Sequence, residues 1–183
     1  TAVRYDLADR AGDDAVEFMD RLWIPFEATE GGRRRTVDPL DDARVVRVGP
    51  GRVRVVRLDT PEQATLPLTL GARTVATRIG FSAPAATWGL VVLKRLGVFH
   101  ALRAECCAPA RRALLRSNGT GRTAALRVDV RGPGGAACAT VADPAGQAHL
   151  TAIGALLSLR WALGLDGPPP AGVAFPEQAA GVG

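Results

Sequence analysis

Lysine, histidine and the aromatic residues are all scarce in this chain. There is one lysine, Lys94, and the only histidines are His100 and His149. Aromatic residues make up 5% of the sequence, too few to supply the stacking platforms of a single-strand nucleic-acid binder. The three cysteines are the adjacent pair Cys106 and Cys107 and the distant Cys138, with no C-x-x-C spacing. Four metal ligands are hard to assemble from such a set, so no metal site is expected. No run reaches the roughly 20 apolar residues of a membrane helix. Leu90–Leu93 is broken by Lys94 and Arg95, and the stretch from Ala152 to Leu165 is interrupted by Arg160. A basic segment followed by an apolar signal core is missing as well. With few cysteines and no targeting segment, the expected setting is a reducing compartment, the cytoplasm.

The formal charge of +5 invites a nucleic-acid reading. The arginines are nevertheless scattered among acidic residues, and only Arg33–Arg35 and Arg111–Arg112 form runs. No nucleic-acid partner and no membrane partner are expected. Phosphate-binding glycine motifs are missing too. The segment Gly119-Thr-Gly-Arg122 has Arg116 where a phosphate loop needs glycine and Arg122 where it needs lysine. Gly132-Pro-Gly-Gly135 lies between two strand-like runs rather than at a helix start, so it is a turn and not a dinucleotide fingerprint.

What is present is a chain of 183 residues, 47% hydrophobic, with 21 glycines and 13 prolines. That is enough for one domain with a real core and many turns. Residues 1–12 read as irregular, and Asp13–Trp23 as a short amphipathic helix ended by Pro25. Glu30-Gly-Gly32 and Gly49-Pro-Gly51 each join two β-prone runs, which predicts two hairpins. In the second, Arg52, Arg54 and Arg57 are expected on a solvated strand face. Thr60-Pro61 opens a helix that Pro67 should end, and Ala72–Phe81 alternates as a strand. A helix over Ala85–Leu96, capped by Ser82 and closed by Gly97, is apolar nearly all round and is therefore core or interface. His100, Arg103, Cys106 and Cys107 lie in a connecting segment, and a short basic helix follows over Pro109–Arg116.

The last third, Thr123–Glu177, reads as strand, turn, strand, helix and Pro-rich exit. Its long apolar segment predicts a buried helix. The whole is an α+β class chain: a mixed, mostly antiparallel sheet built from hairpins, with helices packed on one face. One domain covers 1–183, with 1–29 a lead-in.

Over residues 30–178 the order of short motifs resembles the saccharopine dehydrogenase-like family of NAD(P)-dependent oxidoreductases. The resemblance rests on Leu126–Val130 and Ala139–Asp143 around a turn, Thr151-Ala152 in a small-residue helix, and the ending Gly172-Val-Ala-Phe-Pro-Glu177. Upstream it rests on Arg33–Pro39, Thr60–Pro67 and Ala72–Arg78. It implies the C-terminal, substrate-side and dimerisation half of such an enzyme. The N-terminal Rossmann domain that binds NAD(P) is then a missing partner, and this chain by itself binds no cofactor and transfers no hydride. The opening at Thr1 fits a piece of a longer polypeptide.

The family's substrates are amino acids or imine adducts bearing carboxylates, which the arginine fork binds in bidentate fashion. Arg78, at a strand end that feeds a helix, leads the candidates for substrate binding, followed by Arg73 and Arg103. His100 is the candidate proton donor. Each has a plainer role open to it: a solvated arginine, or a hydrogen-bonded loop histidine. Lys94 is either a desolvated acid/base or a side chain snorkelling to water. No catalytic residue is assigned. Two other classes stay open, a free-standing small-molecule-binding domain and a nucleic-acid accessory module.

Overall fold

The structure is a computed structural model that describes residues 2–5, 17, 20, 21, 24–49, 51–115, 123–169 and 171–178. Eight strands are described: β1 (Ala2–Tyr5), β2 (Phe26–Glu30), β3 (Arg33–Val37), β4 (Arg44–Val48), β5 (Gly51–Arg57), β6 (Arg78–Phe81), β7 (Ala124–Gly132) and β8 (Gly135–Asp143). Five helices accompany them: α1 (Glu62–Thr69), α2 (Pro84–Arg95), α3 (Val98–Ala101), α4 (Ala108–Leu115) and α5 (Gln147–Ala162). Six strands form one sheet in the order β4-β5-β6-β1-β7-β8, and β2 and β3 pair separately. Only β1 and β6 run parallel; the other pairings are antiparallel. The expected α+β class, with a mixed, mostly antiparallel sheet built from hairpins, is the one observed.

Alternation along β5 explains how one strand serves two layers. Val56, Leu58 and Ile79 pack with Leu40, Val91 and Phe99, so α2 and α3 close one face. Val53 and Val55 point the other way and pack with Val48 and Ala125. The sheet curls enough for the β4–β5 turn to meet β7: Arg127 Nη1 donates to the Arg47 carbonyl at 2.9 Å. The curl needs Gly80. A Cβ there would lie 2.2 Å from the Arg54 carbonyl oxygen, far inside contact distance.

Several sequence expectations change. Residues 2–5, read as irregular, form β1 between β6 and β7. Four residues carry too little alternation to announce a strand; pairing on both sides makes it one. The expected strand over Ala72–Phe81 shrinks to β6, because 71–77 instead hydrogen-bonds the β2–β3 hairpin. Gly31 N donates to Thr74 Oγ1 at 2.9 Å, and Val75 N to the Thr29 carbonyl at 3.0 Å. Thr60 does not cap α1 through its side chain, the N-cap position of α2 is Ala83 rather than Ser82, and α1 runs through Pro67 to Thr69. The expected helix at Asp13–Trp23 and the loop 117–122 fall largely or wholly outside the described residues.

The largest correction concerns the last third. The β7–β8 hairpin forms as expected, with Leu126, Val128 and Val130 facing Val141, Ala139 and Ala137. Its helix, however, is not buried: no residue of α5 is, and Leu156 and Leu157 are 57% and 45% exposed. Apolar content predicted a core helix, but the described residues leave every side chain of it at least partly exposed.

Candidate functional site

A dense polar cluster lies where β5 ends and β6 begins. Arg57 and Arg78 stand opposite each other in the strand register. Arg57 was expected on a solvated face; it is 3% exposed. Its charge is carried by Glu30 of β2, which accepts from Nη1 at 2.9 Å, and by Gln63 of α1, which accepts from Nη2 at 3.3 Å. Gln63, also buried, donates to the Leu58 carbonyl at 2.7 Å and accepts from Thr77 N at 3.4 Å. Thr77 Oγ1 completes the chain by donating to Glu62 at 2.8 Å. The side-chain partners of Arg57 come from two other elements, β2 and α1, which is why the sequence around β5 hides its burial.

Arg78 takes a different carboxylate. Its guanidinium pairs with Asp42, which also accepts from Arg44 Nε at 2.9 Å. Burial opposes the charged form of Asp42, but hydrogen bonds and charge from Arg44 and Arg78 outweigh it and hold its carboxyl below the usual value. Asp42 sits at a positive φ of 49° and Leu40 at 64°, so the 40–42 turn is an unusual backbone held by its bonds to Arg57. Leu40 N donates to the Arg57 carbonyl at 2.8 Å, and Arg57 N to the Asp41 carbonyl at 2.9 Å. Lys94 from α2 clamps the same turn, donating to the Pro39 carbonyl at 2.6 Å and to Asp41 at 2.8 Å. It neither snorkels freely nor stands unpaired.

The buried Nε atoms of Arg57 and Arg78 have no hydrogen-bond acceptor among the described residues. Four cations (Arg44, Arg57, Arg78, Lys94) thus meet four carboxylates (Glu30, Asp41, Asp42, Glu62) around the β5–β6 end. The cluster is nearly neutral, which lets two guanidiniums lie side by side at low exposure.

The other sequence candidates do not join this cluster. Arg73 is exposed in the 71–77 segment, and its carbonyl accepts from Gly32 N at 2.6 Å. His100 lies in the last turn of α3 and Arg103 just beyond it; both are exposed, and the Arg103 N donates to the His100 carbonyl at 3.3 Å. Among the described residues no hydrogen bond or ion pair connects Arg73, Arg78 and His100. Cys106 and Cys107 lie with sulfurs 3.8 Å apart, and no cluster of metal-ligating side chains occurs among the described residues. A shallow cavity of about 150 Å³ opens between β2 and α1, bounded by Thr29, Arg34, Gln63 and Pro67. Small-molecule sites run to roughly 300–1,000 Å³.

His149 is the polar residue that sequence reasoning missed. Its Nδ1 lies 2.7 Å from Asp143 Oδ2, and Asp143 also accepts from Ala145 N at 2.8 Å. The His149 and Ala145 hydrogen bonds lower the Asp143 pKa. The spacing of six residues across the β8–α5 turn was the available signal. The pair ties the end of β8 to the first turn of α5.

The chain matches no family model and no curated protein sequence at a significant level. No described helix is long and apolar enough to cross a membrane.

Proposed function

We propose that this chain is the substrate-side and dimerisation domain of a saccharopine dehydrogenase-like NAD(P)-dependent oxidoreductase of the cytoplasm, inactive without an N-terminal Rossmann domain. The observation that supports this most is the bare apolar surface of the β7–β8–α5 unit. A domain that works alone would cover such a helix; one that works beside another body leaves it open.

Within that reading, Arg78 binds a carboxylate of an amino-acid or imine substrate by exchanging Asp42 for it. Arg73 and Arg103 are secondary candidates, and His100 is the candidate proton donor. The test is steady-state kinetics on the chain joined to its cofactor domain. Arg78→Met should raise KM for the carboxylate substrate. Asp42→Asn, which frees the guanidinium, should lower it. Unchanged KM in both variants would remove Arg78 from the site. The free-standing binding-domain reading would gain from a small ligand that binds the isolated chain in the β2–α1 cavity.

A further inference from the structure

The two edges of the six-stranded sheet are built differently. β4 is five residues long and carries Arg44 and Arg47. Charges on a short edge strand are the usual protection against pairing with another chain. β8 is nine residues long, pairs among the described residues only with β7, and from Ala136 to Ala142 carries neither a charge nor a proline. It is an unguarded edge. The hairpin also projects past its support, since β1 pairs with β7 only as far as Arg127 while β7 runs to Gly132.

The hairpin face and the helix next to it are apolar together. Eight of the large hydrophobic residues that stay exposed lie between Val130 and Leu165, among them Val130 at 60%, Val141 at 50%, Leu156 at 57% and Leu159 at 54%. At roughly 100 Å² of apolar area for a complete side chain, these alone present on the order of 400 Å². The exposed alanines of β8 and α5 and the open backbone edge add to that, towards the ~800 Å² per partner of a stable interface. Between Arg131 and Arg160 the single formally charged residue is Asp143. A chain with net charge +5 has thus kept β8 and most of α5 almost free of charge, the charges of the hairpin lying on β7 at Arg127, Asp129 and Arg131. Two identical copies can meet there without repelling each other.

We propose that this surface binds a second copy of the chain, the two β8 strands pairing antiparallel about a two-fold axis near Ala139, with α5 of each copy over the joined sheets. The pairing is isologous: small residues oppose small residues, because Cys138 faces Thr140 and Ala137 faces Val141 on either side of the axis. The sheet then runs unbroken through both copies. This specifies the dimerisation surface of the function proposed above and rests on that reading only for its biological setting.

The test uses the chain Thr1–Gly183 with Cys106→Ser and Cys107→Ser, leaving Cys138. The two Cys138 residues become diagonal neighbours, about 7–8 Å apart, within reach of a short bismaleimide. Sedimentation equilibrium should show a dimer, and the crosslinker should join the copies through Cys138. Ala139→Lys on β8 and Leu156→Glu on α5 should each weaken the dimer by about tenfold or more, with the far-UV circular dichroism unchanged. Both positions are exposed, and lying on separate elements they make one folding defect insufficient to hide the result. A monomer at all concentrations, or a dimer indifferent to both substitutions and not joined through Cys138, would overturn the proposal. A monomer would remove the dimerisation role and leave the substrate-side oxidoreductase reading standing. Tight NAD(P)H binding to the isolated chain would remove that reading and leave the dimer standing.

Discussion

Arg57 faces Arg78 across the β5–β6 pairing, yet each guanidinium is neutralised by its own carboxylate, Glu30 for one and Asp42 for the other. Like charges directly opposite in a sheet repel. The arrangement holds because β2 and the 40–42 turn bring acids from opposite directions. Glu30→Ala removes the partner of a side chain that is 3% exposed. Glu30 itself is about one-third exposed, so the expected loss is about 2–3 kcal/mol, somewhat less than the ~3–5 kcal/mol of a fully buried pair. Urea unfolding measures it, and Glu27→Ala, whose carboxylate is in an exposed pair with Arg34, is the control that should change stability by less than about 1 kcal/mol.

Gly80 and Gly89 should respond oppositely to alanine. At Gly80 the added Cβ meets the Arg54 carbonyl at 2.2 Å and two valine methyls within 3.0 Å. The strands must move apart, at a cost of about 3 kcal/mol. Gly89 lies inside α2 with nothing within 4 Å of its Cβ position. Alanine there should stabilise by roughly 0.5–1 kcal/mol through helix propensity. Thermal melts of the two variants check both signs.

Acid should loosen the chain at two identified places. Asp42, despite burial, and Asp143, through His149 and Ala145, both hold pKa values below the ordinary carboxylate range. A lowered pKa means that the unfolded state binds the proton more readily. The stability these groups contribute is therefore complete above the unfolded carboxylate value and is lost as pH falls through the folded one. Asp59 acts in the opposite direction, since burial raises its pKa against the opposing charge of Arg21, with Glu62 adding to the rise. Stability should fall below about pH 4, and Asp143→Asn should reduce the slope of that fall. A slope unchanged in both Asp143→Asn and Asp42→Asn would show that other carboxylates govern acid unfolding.

The hairpins were legible in the sequence because their signals are local. Glu30-Gly-Gly, Gly49-Pro-Gly and Gly132-Pro-Gly-Gly135 sit between β-prone runs, and the strands on either side of each pair antiparallel in the structure. What was not legible depends on distant partners. β1 is a strand only because β6 and β7 flank it. Arg57 looked solvated because Glu30 is 27 residues upstream; Arg54, three residues earlier and on the opposite face of β5, rests 4.4 Å from the Trp88 ring centre. α5 misled in the reverse direction. Its composition resembles a core helix, and composition does not say whether the covering surface belongs to the same chain. Of the candidate site, Arg78 was expected at the strand end that feeds a helix but opens β6 at the other end, and its pairing with Asp42 across 36 residues was not readable.

The central claim, that this is the substrate-side domain of an oxidoreductase whose cofactor is held elsewhere, is tested most directly by titrating NADH and NADPH into the isolated chain and into the chain joined to its N-terminal domain. The expected result is binding by the joined protein together with hydride transfer to an amino-acid or imine substrate, and no binding by the isolated chain. Cofactor binding by the isolated chain at micromolar affinity, or a joined protein that binds neither nucleotide, would contradict it.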